Sequence, residues 1–247
     1  MLYLLRKKAW KPVSKSCIAI GFVLITKLSF AQNITDLNLS DHDAKPYYFG
    51  ITIGVNLARF HSELHSRFLQ DDSVYVAEPL NAGGFSLGLI ATARLSNRFE
   101  GRFNPQLMFT ERSFYYKLKY PDFDLGTSIT KKIESVIVTF PFQLKFNSDR
   151  INNFRVYMLG GVKLDMDLAS NARAKRAEEL VKINKFDYGI EAGIGFNFYF
   201  PSFIFSPEIK FSNGLGNIHS RDANLKYSSV LDRIQSRMIV FCIHLEG

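Results

Sequence analysis

Apolar and polar side chains alternate without a break from residue 186 to residue 200. Tyr188, Ile190, Ala192, Ile194, Phe196, Phe198 and Phe200 fall on one parity, and Asp187, Gly189, Glu191, Gly193, Gly195 and Asn197 on the other. Side chains in a strand point alternately to opposite faces. The period predicts a strand with one apolar, aromatic face and one face of glycine, carboxylate and amide. The second face is too small and too polar for an ordinary solvent surface.

Seven further stretches repeat this pattern, at residues 47–59, 85–96, 99–116, 133–146, 154–167, 203–211 and 236–245. In the first, Tyr47, Phe49, Ile51, Ile53, Val55 and Leu57 alternate with Tyr48, Gly50, Thr52, Gly54, Asn56 and Ala58. No apolar run beyond residue 31 approaches the ~18 residues of a membrane helix, so a spanning role has to use strands. Eight alternating strands are enough to close a small membrane barrel. The fold expected is all-β: an eight-stranded antiparallel up-and-down transmembrane barrel of the outer-membrane type. The links after the second, fourth and sixth strands are short, at 97–98, 147–152 and 201–202, whereas the other links are long. Outer-membrane barrels have short periplasmic turns and long external loops, so a periplasmic N-terminus satisfies the rule. Aromatic residues gather at the strand ends, among them Tyr47, Tyr48, Phe99, Phe146, Phe154, Phe198 and Phe203 at one rim, as interfacial girdles do. Pro105, Pro141 and Pro207 fall inside strands. Each removes a ladder donor, which predicts local bulges there.

An eight-stranded barrel has an interior only wide enough for side chains. The inward parity carries Arg94, Glu100, Arg102, Arg112, Lys145, Arg155, Lys163, Asp165, Asp187, Glu191, Glu208 and Lys210. Buried charges are tolerated when paired and hydrogen-bonded, so these residues are expected to form a salt-bridge network that fills the lumen. An ion path is the functional alternative, and nothing in the sequence selects it.

Composition adds a leader and removes a misleading signal. Residues 1–16 are basic, residues 17–30 mostly apolar, and Ser29-Phe30-Ala31 presents small residues for cleavage. Residues 1–31 therefore read as a secretory signal peptide, residues 32–46 as a polar, flexible periplasmic lead-in, and residues 47–247 as the barrel domain. The chain has 31 basic residues. Arg6, Lys7, Lys8, Lys11, Lys15 and Lys27 leave with the leader, and the remaining 25 face 23 acids. The high isoelectric point is thus no argument for a nucleic-acid partner. Cys242 is the one cysteine left after cleavage, so no intrachain disulfide is expected.

Candidate chemistry is sparse. His61 and His65 have the spacing of a helical metal pair but lack a strong third ligand. Asp71-Asp72-Ser73 and the pair Asp165 and Asp167 are short acidic groups of the kind that are usually solvated or salt-bridged. Cys242 and His244 share the inward parity of the last strand, where a small inward thiol suits the position better than a nucleophile. No glycine-rich phosphate loop is present. No catalytic residue, metal, cofactor or small-molecule substrate is expected. Residues 172–181 contain good helix formers, and residues 63–78 carry more apolar side chains than a solvated loop needs, which suits a β extension above the membrane or a partner surface.

Several segments in order resemble a known family. They include Tyr48-Phe49-Gly50-Ile51-Thr52-Ile53-Gly54, Gly84-Phe85-Ser86-Leu87-Gly88, Arg102-Phe103-Asn104-Pro105-Gln106-Leu107-Met108-Phe109, Phe140-Pro141-Phe142, Arg150-Ile151-Asn152-Asn153-Phe154-Arg155 and Phe205-Ser206-Pro207-Glu208-Ile209-Lys210. Together they resemble the PorT-type outer-membrane barrels of the type IX (Por) secretion system. The resemblance implies a component needed for export of secreted proteins such as proteases and adhesins. It would act through the lipid bilayer and other secretion-system proteins, without catalysis. The alternatives are a small outer-membrane lipid-modifying enzyme, a general OmpX-like structural or adhesion barrel, and a soluble carrier of the lipocalin kind. The last would need the inverse polarity, apolar inside and polar outside.

Overall fold

The computed structural model describes residues 36–65, 74–122, 126–170, 183–220 and 230–247, with the side chains of 120–127 excepted. The expected leader, Asp71-Asp72-Ser73 and the candidate helix at 172–181 lie outside the described residues. Residues Leu37–Gly247 form one compact unit.

The strands are β1 (Tyr47–Leu64), β2 (Val74–Leu80), β3 (Ala82–Arg94), β4 (Phe99–Phe103), β5 (Gln106–Asp122), β6 (Gly126–Asn147), β7 (Phe154–Asp167), β8 (Phe186–Tyr199), β9 (Ile204–Gly214) and β10 (Leu231–Glu246). β2 runs into β3 and β4 into β5, so ten segments make eight staves. Every pairing is antiparallel, from β1–β10 round through β9, β8, β7 and β6 to β4/β5 and β3. β3 then pairs with β1, Tyr47 opposite Ala93 and Ala58 opposite Ala82, which closes the ring. The closed ring leaves no edge at this level.

The alternation sorts the chain as expected. Phe49, Ile51, Ile53, Val55 and Leu57 are exposed on β1, whereas Thr52, Asn56 and Ala58 are buried. The same holds on β8, where Ile190, Ile194, Phe196 and Phe198 are exposed and Glu191 and Asn197 are buried. An apolar exterior around a polar interior suits hydrocarbon outside rather than water.

Three sequence expectations are corrected. The prolines cause no bulge. Pro141 pairs with Lys163 and Pro207 with Ile243 in unbroken register. Pro105 coincides with the gap between β4 and β5, yet its carbonyl accepts Leu89 N at 3.0 Å, and the register with β6 runs straight past it. Each proline forfeits one bond of a long ladder, and the flanking bonds hold the register. Register shifts occur instead at Glu63/Leu64, Val74/Val76 and Lys117/Asp122, at the end of the barrel away from the short links.

Second, the links after the first and third strands are much shorter than expected. β1 continues to Leu64, Val74–Leu80 extends the next stave, and β5 and β6 leave only 123–125 between them. The alternation persists there with its polarity reversed. Phe60, Phe114, Tyr116, Leu118 and Ile129 now point inward and are buried, while Lys117, Glu134 and Lys132 point outward. Val74, Ile183, Ile218, Val230, Leu231 and Ile234 complete this second, apolar core. Above the belt the ladders are β1 with β10, β2 with β5 and β5 with β6, so a water-facing wall around an apolar core stands on the lipid-facing ring.

Third, the lead-in is docked rather than flexible from Asn38 onward. Ser40–Ala44 forms a 3-10 helix. Asn38 N donates to Asn153 Oδ1 at 2.9 Å and Asn38 Nδ2 to the Tyr199 carbonyl at 2.9 Å. Arg150 donates to Asp43 at 3.0 Å and also to the Asn38 carbonyl. His42 lies 4.5 Å from the Tyr48 ring, centroid to centroid, and is buried. This segment sits at the short-link end, under the barrel mouth.

Candidate functional site

The lumen gathers the chain's ionisable residues because inward positions repeat every second residue and the ring leaves them nowhere else to face. Near the short-link end, β4 places Arg102 between two carboxylates, Glu208 at 2.7 Å and Glu246 at 2.9 Å, with all three side chains fully buried. The planar guanidinium serves both at once through two separate nitrogens, Nη1 to Glu208 and Nη2 to Glu246. Glu208 also accepts the Tyr157 hydroxyl at 2.8 Å and lies 3.2 Å from His244 Nε2. His244 Nδ1 lies 2.9 Å from Thr52 Oγ1, which donates to Asn104 Oδ1 at 3.1 Å. Glu100 takes Lys145 at 3.5 Å, Arg94 at 3.5 Å and the Tyr48 hydroxyl at 2.9 Å. The Lys145 ammonium stands 4.1 Å above the Tyr157 ring, within cation–π range.

Midway, Glu191 is held by Lys210 at 3.4 Å and by Gln143 at 2.6 Å. An apolar cluster of Ala58, Met108, Ile137, Met238, Val240 and Cys242 adjoins this pair, with Val240 opposite Lys210 on the β9–β10 ladder. Higher up, Arg112 meets Asp167 at 3.4 Å, Ser135 at 2.6 Å and Ser236 at 3.2 Å, and its guanidinium covers the Phe60 ring at 4.5 Å. Lys163 pairs with Asp165 two residues along the same strand. The cavity beside Arg112, Asp165, Asp167 and Asp187 has about 20 Å³, which is room for one water.

The residues singled out from the sequence fall into four sets. Arg94, Glu100, Arg102, Lys145 and Glu208 form one network, and Glu191 with Lys210 forms a separate pair. Arg112 and Asp165 lie in the upper layer. Arg155 and Asp187 do not join a lumen network. Arg155 reaches the docked lead-in, 3.3 Å from Asp43, so it belongs to the rim. Asp187 accepts backbone N–H groups of Tyr188 at 2.9 Å and Gly216 at 3.2 Å and has no ion pair among the described residues. Sequence reasoning missed Glu246, Tyr48, Tyr157 and Asp43 as partners. Glu246 was within reach, since it continues the inward parity of the last strand by one step. Asp43 was not, because nothing local marks a polar lead-in as docked.

The remaining candidates separate. His61 lies in β1 and His65 just beyond it. A spacing of four suits a helix, but on a strand it puts the two side chains about 13 Å apart. Cys242 is fully buried and faces Gly54 across the β1–β10 pair, while His244 is turned toward Thr52 and Glu208. Among the described residues no group of three His, Cys, Asp or Glu is placed to hold a metal.

No curated protein sequence matches the chain. Solved structures similar to it include neisserial surface protein A, 12% identical over 79% of this chain and 95% of that one with a TM-score of 0.39. OprG of Pseudomonas aeruginosa is 13% identical over 80% and 94%, with a TM-score of 0.43. Ail of Yersinia pestis is 13% identical over 82% and 100%, with a TM-score of 0.35. The family model described as an outer membrane protein beta-barrel domain matches residues 30–220, most of the chain. The inverted polarity, the closed antiparallel ring and this match together place the chain in the outer-membrane β-barrel family and in the outer membrane.

Proposed function

We propose that this barrel is a PorT-type component of the type IX (Por) secretion system, needed for export of secreted proteins and acting through protein partners. The reading rests on the ordered family-like segments, among them Arg150-Ile151-Asn152-Asn153-Phe154-Arg155. In the fold that segment is the β6–β7 turn that clamps the lead-in, with Arg150 and Arg155 both on Asp43. The packed lumen supports action through surfaces, because a pathway for solute would need an open channel. No catalytic role is assigned to any residue. The test is deletion of the gene followed by comparison of secreted protein. Loss of exported proteases and adhesins, restored by the wild-type gene, is the expected result. Unchanged export would refute the assignment.

A second reading, a general OmpX-like structural or adhesion barrel, is favoured by one observation. β1, β2, β5, β6 and β10 rise beyond the lipid-facing belt into a wall with its own apolar core. Under that reading the deletion leaves export intact and lowers attachment or envelope integrity.

A further inference from the structure

At the upper boundary of the lipid-facing belt, two arginines stand directly opposite each other. Arg59 on β1 pairs with Arg237 on β10, and both side chains face outward and are exposed. Directly opposed residues of an antiparallel pair have Cα atoms about 4.5–5.5 Å apart, and like charges placed so are destabilising. Neither arginine makes an ion pair or side-chain hydrogen bond among the described residues. Asn213 lies opposite Arg237 on β9. These three polar residues and Asn81 line the polar part of an outward depression of about 430 Å³ whose apolar side-chain walls are Leu57, Phe211 and Ile239, and no carboxylate lines it.

The height of the pair follows from the strand. Apolar outward residues run from Tyr47 to Leu57 on β1, about ten steps of ~3.4 Å. A strand tilt of about 40° reduces that to roughly 26 Å, the height of an outer-membrane apolar band. Arg59 is therefore the first outward residue above the hydrocarbon, on the side opposite the short links. In the same ring, Glu111 and Glu134 also oppose each other, but Lys132 stands 3.1 Å from Glu111 and supplies a counter-charge within the protein. The arginine pair has none among the described residues.

We propose that Arg59 and Arg237 bind the phosphate of a phosphate-bearing lipid in the outer leaflet, with an acyl chain lying in the depression along Leu57, Phe211 and Ile239. A phosphate between two guanidiniums turns their repulsion into two charge-assisted contacts. Asn213 adds a neutral donor. The apolar floor continues into the hydrocarbon, which selects a lipid over a free anion.

Native mass spectrometry of the folded barrel in detergent provides the test, with diphosphoryl lipid A, its dephosphorylated counterpart and inorganic phosphate as probes. The wild-type barrel is expected to retain diphosphoryl lipid A at least tenfold more strongly than the dephosphorylated form. The double variant Arg59→Gln/Arg237→Gln is expected to lose that preference while keeping the heat-modifiable gel mobility of a folded barrel. Arg59→Lys/Arg237→Lys keeps part of it. Equal retention of the two lipids by the wild type, or an unchanged preference in the folded Gln variant, overturns the proposal. Displacement of the lipid by equimolar inorganic phosphate would overturn the choice of a lipid. A Gln variant that loses folded mobility is replaced by the single variants, which are held to the same criteria.

Discussion

Glu208 shows what a buried carboxylate requires, since Arg102, Tyr157 and His244 all converge on it in a space without solvent. Taking away one partner of such a set leaves the others uncompensated, at a cost of about 3–5 kcal/mol. Arg102→Met removes the cation shared by Glu208 and Glu246 and is expected to lower unfolding stability by about that amount, read as the urea midpoint of the barrel refolded in lipid. Arg102→Lys is expected to recover only part of it, because a single ammonium nitrogen lacks the two separated donors with which the guanidinium reaches Glu208 and Glu246. Gly195 makes a second residue-scale prediction. A Cβ there would lie 2.3 Å from Tyr157 Cζ, and the ring is pinned by its bond to Glu208. Gly195→Ala is expected to cost about 1–3 kcal/mol. Combined with Tyr157→Leu it is expected to cost little more than Tyr157→Leu alone, a non-additivity that marks a shared space.

Among the elements, the docked lead-in is the most open to test. Asp43 is its anchor, taking both Arg150 and Arg155. Asp43→Ala is expected to expose residues 36–46 to protease in detergent while the strands stay protected, and an unchanged digestion pattern would contradict this docking. Burial lowers the pKa of the His42 imidazole, with Glu246 opposing that shift and Lys45 and Arg94 reinforcing it. The undocked histidine has the ordinary value of about 6.5 and so binds more protons than the docked one below that pH. Docking is therefore full above about pH 6.5 and weakens as pH falls toward the lowered value. Protease sensitivity of the lead-in is expected to rise on acidification, and His42→Phe should flatten that rise.

The elements also show what was legible. β7 runs from Phe154 to Asp167, the bounds its alternation gives, because lipid outside and polar groups inside hold along its whole length. β5 and β6 were read short. Above the belt their outward positions become Lys117, Lys132 and Glu134 and their inward ones Phe114, Tyr116 and Ile129. A search for apolar residues on the outward parity stops where the solvent changes, although the strand does not. For the candidate site, parity identified the inward charges of the strands. It could not say which pair with which, since partners such as Arg102 and Glu246 are 144 residues apart in sequence. Nor could it place Arg155, whose partner lies outside the barrel.

At the scale of the whole molecule, the barrel is blocked three times. The docked lead-in lies under the lower mouth, ion pairs and aromatic rings fill the lower and middle lumen, and an apolar core fills the top. Purified barrel in planar bilayers is expected to show no stable channel conductance, and defined single-channel steps would contradict a packed interior. The two functional readings differ in what deletion of the gene removes, export in the first and attachment or envelope integrity in the second.

The reversal of polarity along the strands also fixes how high the molecule rides. Raising the barrel by one outward position lifts Leu57, Phe211 and Ile239 into water, and lowering it drags Arg59 and Arg237 into hydrocarbon. Exposing three large apolar side chains costs about 1.5–3 kcal/mol each, whereas an arginine costs little near the interface and about 2–4 kcal/mol at the midplane, so the well is steep above and rises more gradually below. The protein is thus held at one depth with the wall of β1, β2, β5, β6 and β10 at a set elevation. Any component that engages that wall meets it at the same altitude on every copy.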